Sequence, residues 1–145
     1  MANNLQLRII TREGVRLDEP CDMVIMRCNT GDMGILPKHT PCSAVLDYGV
    51  LRFMNEGNER RIAVMGGVVQ IKDDIVSVLT NEAQWPEEVD RARAEADIDI
   101  FTLRVQEEDD DLELLKHQAK LRRTFVRLEV SSYPLLSPGQ KSGDS

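Results

Sequence analysis

The hydrophobic periodicity of this 145-residue chain changes next to Trp85. Before it, apolar residues alternate with polar ones, as Leu5, Leu7 and Ile9 do, and this period of two is typical of strands with one buried face. Turn-forming residues separate the short apolar runs at intervals of about 8 to 12 residues. Residues 1–85 are therefore predicted to form an antiparallel β-sandwich or barrel.

The turns of this sheet are predicted where glycine, proline, asparagine and aspartate cluster. They are Glu13-Gly14, Asp18–Pro20, Asn29–Asp32, Asp47–Gly49, Asn55–Asn58 and Lys72–Asp74. Gly66-Gly67 lies between two apolar runs, and because glycine tolerates positive φ we expect a tight turn there.

After Trp85 the apolar residues recur at spacings of three and four, which predicts helices. Pro86 suits the first turn of a helix, and the acids after it favour the positive end of the helix dipole. A run of five acids at 107–111 separates the two helices, so residues 86–131 are expected to form an antiparallel helical hairpin. From 132 to 145 no period remains, and this tail is predicted to be disordered. The predicted buried faces are Val89, Ala92, Ala96, Ile100 and Leu103 on the first helix and Leu114, Leu121, Phe125 and Leu128 on the second.

The chain has a net charge of −7, with 25 acidic and 18 basic residues. This argues against partners such as nucleic acid or anionic lipid, which need clustered lysine and arginine. The charge is also segregated, since residues 86–113 hold 12 acids and 3 bases whereas residues 114–128 hold 5 bases and no acid. We therefore expect the two helices to lie against each other with opposite charges facing.

No sequence feature predicts a membrane span, a secretion signal or a catalytic centre. There is no run of about 18 apolar residues and no charged-then-apolar leader, so we expect neither membrane insertion nor export. Cys21, Cys28 and Cys42 lack a CxxC or metal-ligand spacing, which favours reduced, partly buried thiols over a zinc or redox site. Common catalytic motifs are also absent, so no catalytic residue is predicted, and an enzyme using Cys28 or His39 is the least favoured hypothesis.

The segment 31–41 holds two glycines and two prolines. Glycine permits special backbone angles and proline restricts them, so this composition predicts an ordered, turned loop. Such a loop would present Asp32, Lys38 and His39 to a partner. In the alternative interpretation it is only a stiff corner of the sandwich.

Four sequence blocks point to a known family. They are Gly34-Ile35-Leu36-Pro37 with His39 and Pro41, then Gly49-Val50-Leu51-Arg52, then Met65-Gly66-Gly67-Val68-Val69-Gln70-Ile71, and then Ile75-Val76-Ser77-Val78-Leu79. Their order and spacing, with the change to helices after residue 85, resemble the epsilon subunit of bacterial F-type ATP synthases. The resemblance covers residues 4–130, and the absence of a transit peptide agrees with a bacterial origin.

The resemblance implies a non-catalytic subunit of the central stalk. Its fold would be a sandwich of about ten strands followed by a two-helix domain. The sandwich would bind the gamma subunit and rest on the polar loops of the c-ring through Asp32, Lys38 and His39, which couples rotation to ATP synthesis. The hairpin would inhibit ATP hydrolysis by extending toward the alpha and beta catalytic subunits. The expected location is peripheral, on the cytoplasmic face of the bacterial inner membrane.

A further motif, at the start of the hairpin, bears on ligand binding. The residues Val89-Asp90-Arg91-Ala92-Arg93-Ala94 resemble the Ile/Leu-Asp-x-x-Arg-Ala motif of epsilon subunits that bind ATP. The resemblance implies that ATP is a regulatory ligand, with no cofactor required. Arginines at i and i+4 share a helix face and can grip phosphate oxygens, while Asp90 can accept from the adenine amino group or orient Arg93. The implied site is Val89, Asp90, Arg93, Ala94, Arg123 and Arg127.

Alternatives to this ATP site stay open. Val89 replaces a larger residue of the motif, and Gln84 stands where ATP-binding relatives tend to place Glu. In the alternative interpretation Asp90 and Arg93 cap and brace the first helix, while Arg123 and Arg127 face the acids of the partner helix. The alternative function is a free-standing ATP-sensing module outside a motor.

Overall fold

The computed structural model describes residues 4–132. Of the tail predicted at 132–145, Ser132 still belongs to the last helix, and residues 133–145 lie outside the described residues. Within residues 4–132, strands are followed by a short 3-10 turn and two helices. The strands are β1 (Leu5–Thr11), β2 (Gly14–Cys21), β3 (Met23–Cys28), β4 (Gly31–Ile35), β5 (Cys42–Asn55), β6 (Asn58–Lys72), β7 (Ile75–Leu79) and β8 (Ala83–Gln84). The 3-10 turn is Pro86–Glu88, and the helices are α1 (Arg91–Glu107) and α2 (Asp111–Ser132).

The strands form one sheet that folds over a main core. Their order is β2-β1-β7-β6-β5-β3-β4, with β8 paired to β6. Three strands separate β1 from β3 in that order, yet Leu7 of β1 and Val24 of β3 belong to the same buried cluster. The sheet is therefore closed into two layers, and the predicted β-sandwich is confirmed, with eight strands in residues 4–132 instead of about ten.

Three predicted turns are wrong because they lie inside strands. Asp18–Pro20 is part of β2, Asp47–Gly49 is part of β5, and Gly66-Gly67 is part of β6. Both glycines do have positive φ, +76° and +114°, at the bend where β6 exchanges β8 for β7 as its neighbour. A Cβ on Gly67 would lie 2.0 Å from the carbonyl oxygen of Leu79. Glycine thus permits a close backbone approach within a continuous strand, where a turn was expected.

One strand pair departs from the predicted antiparallel arrangement. β1 and β7 pair in parallel, from Gln6 opposite Ile75 to Ile10 opposite Leu79, while the other described pairs are antiparallel. Parallel strands cannot be joined by a tight turn. The positions of turn residues in the sequence therefore do not predict that β1 pairs with β7, although this pair closes the sandwich.

The helical hairpin is confirmed, but its first helix begins later than predicted. Pro86–Glu88 forms a separate 3-10 turn, and α1 begins three residues after it. Asp90 is the N-cap of α1, because its Oδ1 accepts a hydrogen bond from the backbone N–H of Arg93 at 3.1 Å. The acids at 107–111 span the end of α1, the connection and the start of α2, as expected.

The predicted buried face of the first helix is wrong except at Val89, which is half-buried and packs against a second buried cluster, between α2 and β6. Ile100 and Leu103 are 46% and 56% exposed, and Ala92 and Ala96 are exposed as well. Both the predicted and the observed sets have helical spacings of three and four, so periodicity alone could not choose between them. The less exposed apolar residues are Ala94, Ile98, Phe101 and Val105.

Helix α2 attaches the hairpin to the sandwich, since α1 packs on α2 and α2 packs on β5 and β6. Val126 and Val130 are buried in a second cluster with Ala63 and Met65 of β6. Phe125, predicted on the buried face, is 51% exposed. The hairpin therefore lies folded against the sandwich through one face of α2.

The two helices lie against each other as expected, but their opposite charges do not pair. Arg127 of α2 forms an ion pair with Glu82 at 2.7 Å, and Arg122 pairs with Asp47 of β5. Within residues 4–132 no ion pair joins a residue of α1 to a residue of α2. The acids that pair with Arg122 and Arg127 therefore belong to the sandwich, which the charge segregation along the chain did not reveal.

Candidate functional site

The linker between the sandwich and the hairpin is held in place by two polar contacts and an aromatic one. Glu88 Oε1 accepts a hydrogen bond from the backbone N–H of Trp85 at 2.8 Å and also pairs with Arg16 of β2. The guanidinium of Arg60 lies 4.6 Å from the centre of the Trp85 ring and pairs with Glu19 at 2.9 Å. The chain thus leaves the sandwich in a defined direction, which positions the start of α1 beside α2.

A cavity of about 330 Å³ lies between this linker, α1 and α2, and we call it the hairpin cavity. Of the six residues predicted to bind ATP, the structure brings five together here: Val89, Asp90, Arg93, Ala94 and Arg127. The described residues that line it are Gln84, Glu88, Val89, Asp90, Arg93, Ala94, Asp97, Thr124 and Arg127.

The cationic side chains of the hairpin cavity differ in how strongly they are held. Arg127 donates from Nε to Gln84 Oε1 at 2.8 Å and from Nη2 to Glu82 Oε2 at 2.7 Å. The side chain of Arg93 is 80% exposed, and its nearest acid, Asp97, is 3.9 Å away. Arg93 is therefore free to meet a ligand, whereas Arg127 would have to share or exchange its partners.

The contacts agree only in part with the alternative interpretation of these residues. Asp90 does cap α1 and Arg93 does approach an acid of its own helix, as that interpretation predicts. Arg127, however, pairs with Glu82 just before β8 and not with an acid of the partner helix. Capping uses Oδ1 of Asp90 and leaves the other carboxylate oxygen available to accept a hydrogen bond.

The sixth predicted residue, Arg123, lines a neighbouring cavity of about 480 Å³, which we call the arginine cavity. Arg127 lies on the border and lines both. Sequence reasoning missed Arg12, which reaches this cavity from the turn between β1 and β2. Within residues 4–132 the cavity is lined by Arg12, Tyr48, Met65, Asn81, Glu82, Arg123 and Arg127.

The predicted loop residues occupy two separate places. Asp32 lies within β4, opposite Arg27 of β3, with 4.0 Å between Oδ1 and the guanidinium Nε. Lys38 and His39 lie beyond the other end of β4, in the connection to β5. Lys38 has φ of +66°, and its backbone N–H donates to Asp74 Oδ1 at 2.5 Å. The connection is thus ordered as expected, but the segment 31–41 is partly strand, and Asp32 is not at its tip.

The cysteines are free and lie in or beside the main core. Burial raises the pKa of Cys21 to about 11 and also raises the pKa of Cys28. A thiol with a raised pKa is a poor nucleophile at neutral pH. These environments do not favour the hypothesis of an enzyme that uses Cys28.

Residues 4–86 match the beta-sandwich domain family of the ATP synthase delta/epsilon chain. An ATP synthase epsilon chain from Syntrophobacter fumaroxidans is 35% identical over 131 residues, which cover 90% of this chain and 98% of that relative. The chain belongs to the ATP synthase epsilon-chain family. The family suggested by the four sequence blocks is thereby confirmed, as is the expectation of an accessory, non-catalytic subunit.

Other epsilon chains match over the hairpin as well as the sandwich. The epsilon chain of Bacillus subtilis is 34% identical over 127 residues, covering 88% of this chain and 96% of its own length. The epsilon chain of Bacillus licheniformis is 32% identical over 127 residues, with 88% and 97% covered. The epsilon-chain likeness therefore extends beyond residue 86, where the match to the family's sandwich domain ends.

Two solved structures share the fold of this epsilon-chain member. A chain in the Euglena gracilis mitochondrial ATP synthase, solved as OSCP/F1/c-ring, has a TM-score of 0.79 at 23% identity, covering 89% of this chain and 81% of that one. A chain in the Tetrahymena thermophila mitochondrial ATP synthase, solved as central stalk/c-ring, has a TM-score of 0.56 at 20% identity, covering 88% and 96%. Neither described helix is long and apolar enough to cross a bilayer.

Proposed function

We propose that this epsilon-family chain is a central-stalk subunit that couples proton-driven rotation to ATP synthesis, on the cytoplasmic face of the bacterial inner membrane. Bacterial relatives match nearly end to end, and the fold recurs in F1/c-ring and central-stalk assemblies. On this proposal the sandwich binds the gamma subunit and meets the c-ring loops through Asp32, Lys38 and His39. The fixed connection after β4 supports a docking role, because a pre-ordered loop loses little entropy on binding.

Coexpression tests the stalk assignment. The full chain produced with the gamma subunit of the same organism should purify as a stable complex with it. A chain that folds but does not retain gamma would contradict the stalk role. It would leave the free-standing nucleotide module as the better function.

The hairpin is proposed to inhibit ATP hydrolysis by leaving the sandwich and extending toward the alpha and beta subunits. The observation that carries this proposal is the small contact that holds it. Two buried valines, Val126 and Val130, anchor α2, and α1 packs on α2. Each buried valine contributes about 1.5–3 kcal/mol, and exposed ion pairs contribute about 0–1 kcal/mol each. Competing contacts elsewhere in a motor could therefore displace the hairpin.

Undocking would also change the charge that α2 presents. In the docked hairpin Arg122 and Arg127 are paired with Asp47 and Glu82 of the sandwich. Separation from the sandwich would release both guanidiniums on a helix segment, residues 114–128, that holds five bases and no acid. This segment could then meet acidic surfaces of the catalytic subunits.

A truncation in the assembled motor tests the inhibitory role. The chain should be cut after Val89, because Glu88 and Trp85 hold the linker to the sandwich and should be kept. ATP hydrolysis by the complex is expected to rise, while the amount of subunit bound to gamma stays the same. Unchanged hydrolysis at equal binding would mean that the hairpin is not inhibitory in this protein.

A second proposed function is regulatory ATP binding in the hairpin cavity. It is supported by the five predicted residues that line one cavity and by the exposed, weakly held Arg93.

Titration with ATP tests this site. Trp85 is next to the residues that line the cavity, so its fluorescence should change as ATP is added, and calorimetry should show heat of binding. The Arg93→Gln variant should bind more weakly, by about tenfold for one charge-assisted hydrogen bond. Absence of both signals in the wild-type chain would remove this proposal.

A further inference from the structure

The arginine cavity gathers positive charge from parts of the chain that are far apart in sequence. Arg12 comes from the β1–β2 turn, whereas Arg123 and Arg127 come from α2. Among the described residues that line the cavity, one carboxylate, that of Glu82, faces these three guanidiniums. The cavity wall therefore carries two positive charges more than it has negative ones.

Within the described part of the chain, two of the three guanidiniums have no partner to neutralise them. Arg127 is held by Glu82 and Gln84. By contrast, the guanidinium of neither Arg12 nor Arg123 makes a hydrogen bond or ion pair with another residue of the segment 4–132. Like charges that face one cavity repel each other, so the fold holds them together at a cost that a bound anion would offset.

The guanidinium groups that line the arginine cavity favour phosphate groups as ligands. Guanidinium offers paired N–H donors that match phosphate oxygens, and several of them around a concave surface strengthen the local field. A volume of about 480 Å³ lies in the range of small-ligand sites. Long polyanions such as nucleic acid are disfavoured, because the chain as a whole has a charge of −7.

We propose that the arginine cavity is a polyphosphate-binding site in which Arg12 acts together with Arg123 and Arg127. Its ligand would be a small chain of phosphate groups, either inorganic or the tail of a nucleotide. If the ligand is a nucleotide, the inference rests on the ATP site proposed above. The base would then lie in the hairpin cavity and the phosphate tail in the arginine cavity, and Arg127 would contribute to both cavities. Because Arg12 belongs to the sandwich and the other two to α2, a bound polyphosphate would also link these units.

Calorimetry of the full chain with inorganic tripolyphosphate, in magnesium-free buffer, tests the site without a nucleotide. The wild-type chain should bind, and Arg12→Gln should weaken binding about tenfold, since one charge-assisted hydrogen bond is lost. Arg104→Gln, which removes the same charge from an exposed position on α1, should leave the affinity unchanged. Glu82→Gln should strengthen binding, because it removes the one acid among the described lining residues while keeping a hydrogen-bond acceptor for Arg127.

The outcomes separate this site from the ATP proposal. No binding of tripolyphosphate, or equal loss in the Arg12→Gln and Arg104→Gln variants, overturns the polyphosphate site, even if ATP binds in the hairpin cavity. Tripolyphosphate binding that depends on Arg12, with no binding of ATP or adenosine, supports the site with an inorganic ligand and overturns the ATP proposal. If ATP also binds and weakens in Arg12→Gln while adenosine does not, the phosphate tail of the nucleotide is the ligand. Because the Arg12 guanidinium makes no hydrogen bond or ion pair within residues 4–132, circular dichroism of the variant should match the wild type.

Discussion

Two valines on α2 should decide whether the hairpin stays on the sandwich. Val126 and Val130 are 5% and 0% exposed and pack against Ala63 and Met65. Replacing both by alanine removes four buried carbons, which at about 0.8 kcal/mol each weakens docking by about 3 kcal/mol. Since about 1.4 kcal/mol corresponds to a factor of ten, the undocked population should rise about a hundredfold.

Hydrogen–deuterium exchange of the full chain measures this effect. Backbone amides of α2 should exchange up to about a hundredfold faster in the double variant, while amides of β1 and β7 keep their protection. Alanine forms helices better than valine does, so faster exchange in α2 cannot come from a lower helix propensity. It must come from the lost contacts of the two valines with β5 and β6.

Leu115→Ala provides the matched control, because Leu115 lies on the same helix and is 63% exposed. It should leave the exchange of α2 near the wild-type rate. The reasoning fails if the double variant also exchanges like the wild type, because docking would then depend on other contacts. It fails equally if β1 and β7 lose protection together with α2, since the valines would then belong to the main core of the sandwich.

Three further substitutions or modifications test local features of the fold. Gly67→Ala should lower the free energy of unfolding, measured by urea titration, by about 3 kcal/mol or more, because a Cβ would clash with a backbone carbonyl and φ is positive. Gly57→Ala is the control, since Gly57 also has positive φ but faces open space, and it should lower the free energy of unfolding clearly less. Asp90→Ala should destabilise the start of α1 by about 1 kcal/mol, seen as faster exchange there, while Asp90→Ser keeps a capping oxygen and the wild-type rate. Burial raises the pKa of Cys21 to about 11, so its thiolate fraction is very small at pH 8 and grows toward pH 11. Iodoacetamide at pH 8 should therefore modify the half-buried Cys42 before Cys21. Equal rates of modification would contradict the burial of Cys21.

The change of periodicity at Trp85 was enough to predict the architecture, because strands with one buried face and amphipathic helices repeat differently. The acidic run at 107–111 likewise marked the hairpin connection correctly. The turns within β5 and β6 were wrong for a physical reason. Glycine and aspartate also occur where a long strand bends between two layers, and the sequence around Gly66-Gly67 has the same composition in either case.

The face of α1 could not be chosen from its own sequence. Apolar residues at 92, 96, 100 and 103 and at 94, 98, 101 and 105 both fit a helical period. Which set is less exposed depends on where α2 lies, and α2 is positioned by Val126 and Val130 against β6. This information is tertiary, so a local pattern does not contain it.

The hairpin cavity could be predicted from the sequence better than the arginine cavity could, because it depends less on tertiary contacts. The residues Val89 to Ala94 and Arg127 meet because a short linker and a hairpin connection bring them together, and a local motif can signal that. Arg12 joins Arg123 only because β1 pairs in parallel with β7, which carries the β1–β2 turn to the side of the sandwich where α2 docks. A contact that depends on a non-local strand pair leaves no trace in the spacing of residues.

The distribution of charge between the units connects docking with both cavities. Arg122 and Arg127 are neutralised by sandwich acids only while α2 is docked, and the acids of α1 form no ion pair with α2 in the described chain. An anion bound between Arg12 and α2 would oppose undocking, because it adds contacts that exist only in the docked state. A ligand shifts such an equilibrium by the ratio of its affinities for the two states. Polyphosphate binding and release of the hairpin should therefore be mutually exclusive. Removal of Arg12, the arginine on the sandwich side, should weaken this coupling between binding and docking without altering the hairpin itself.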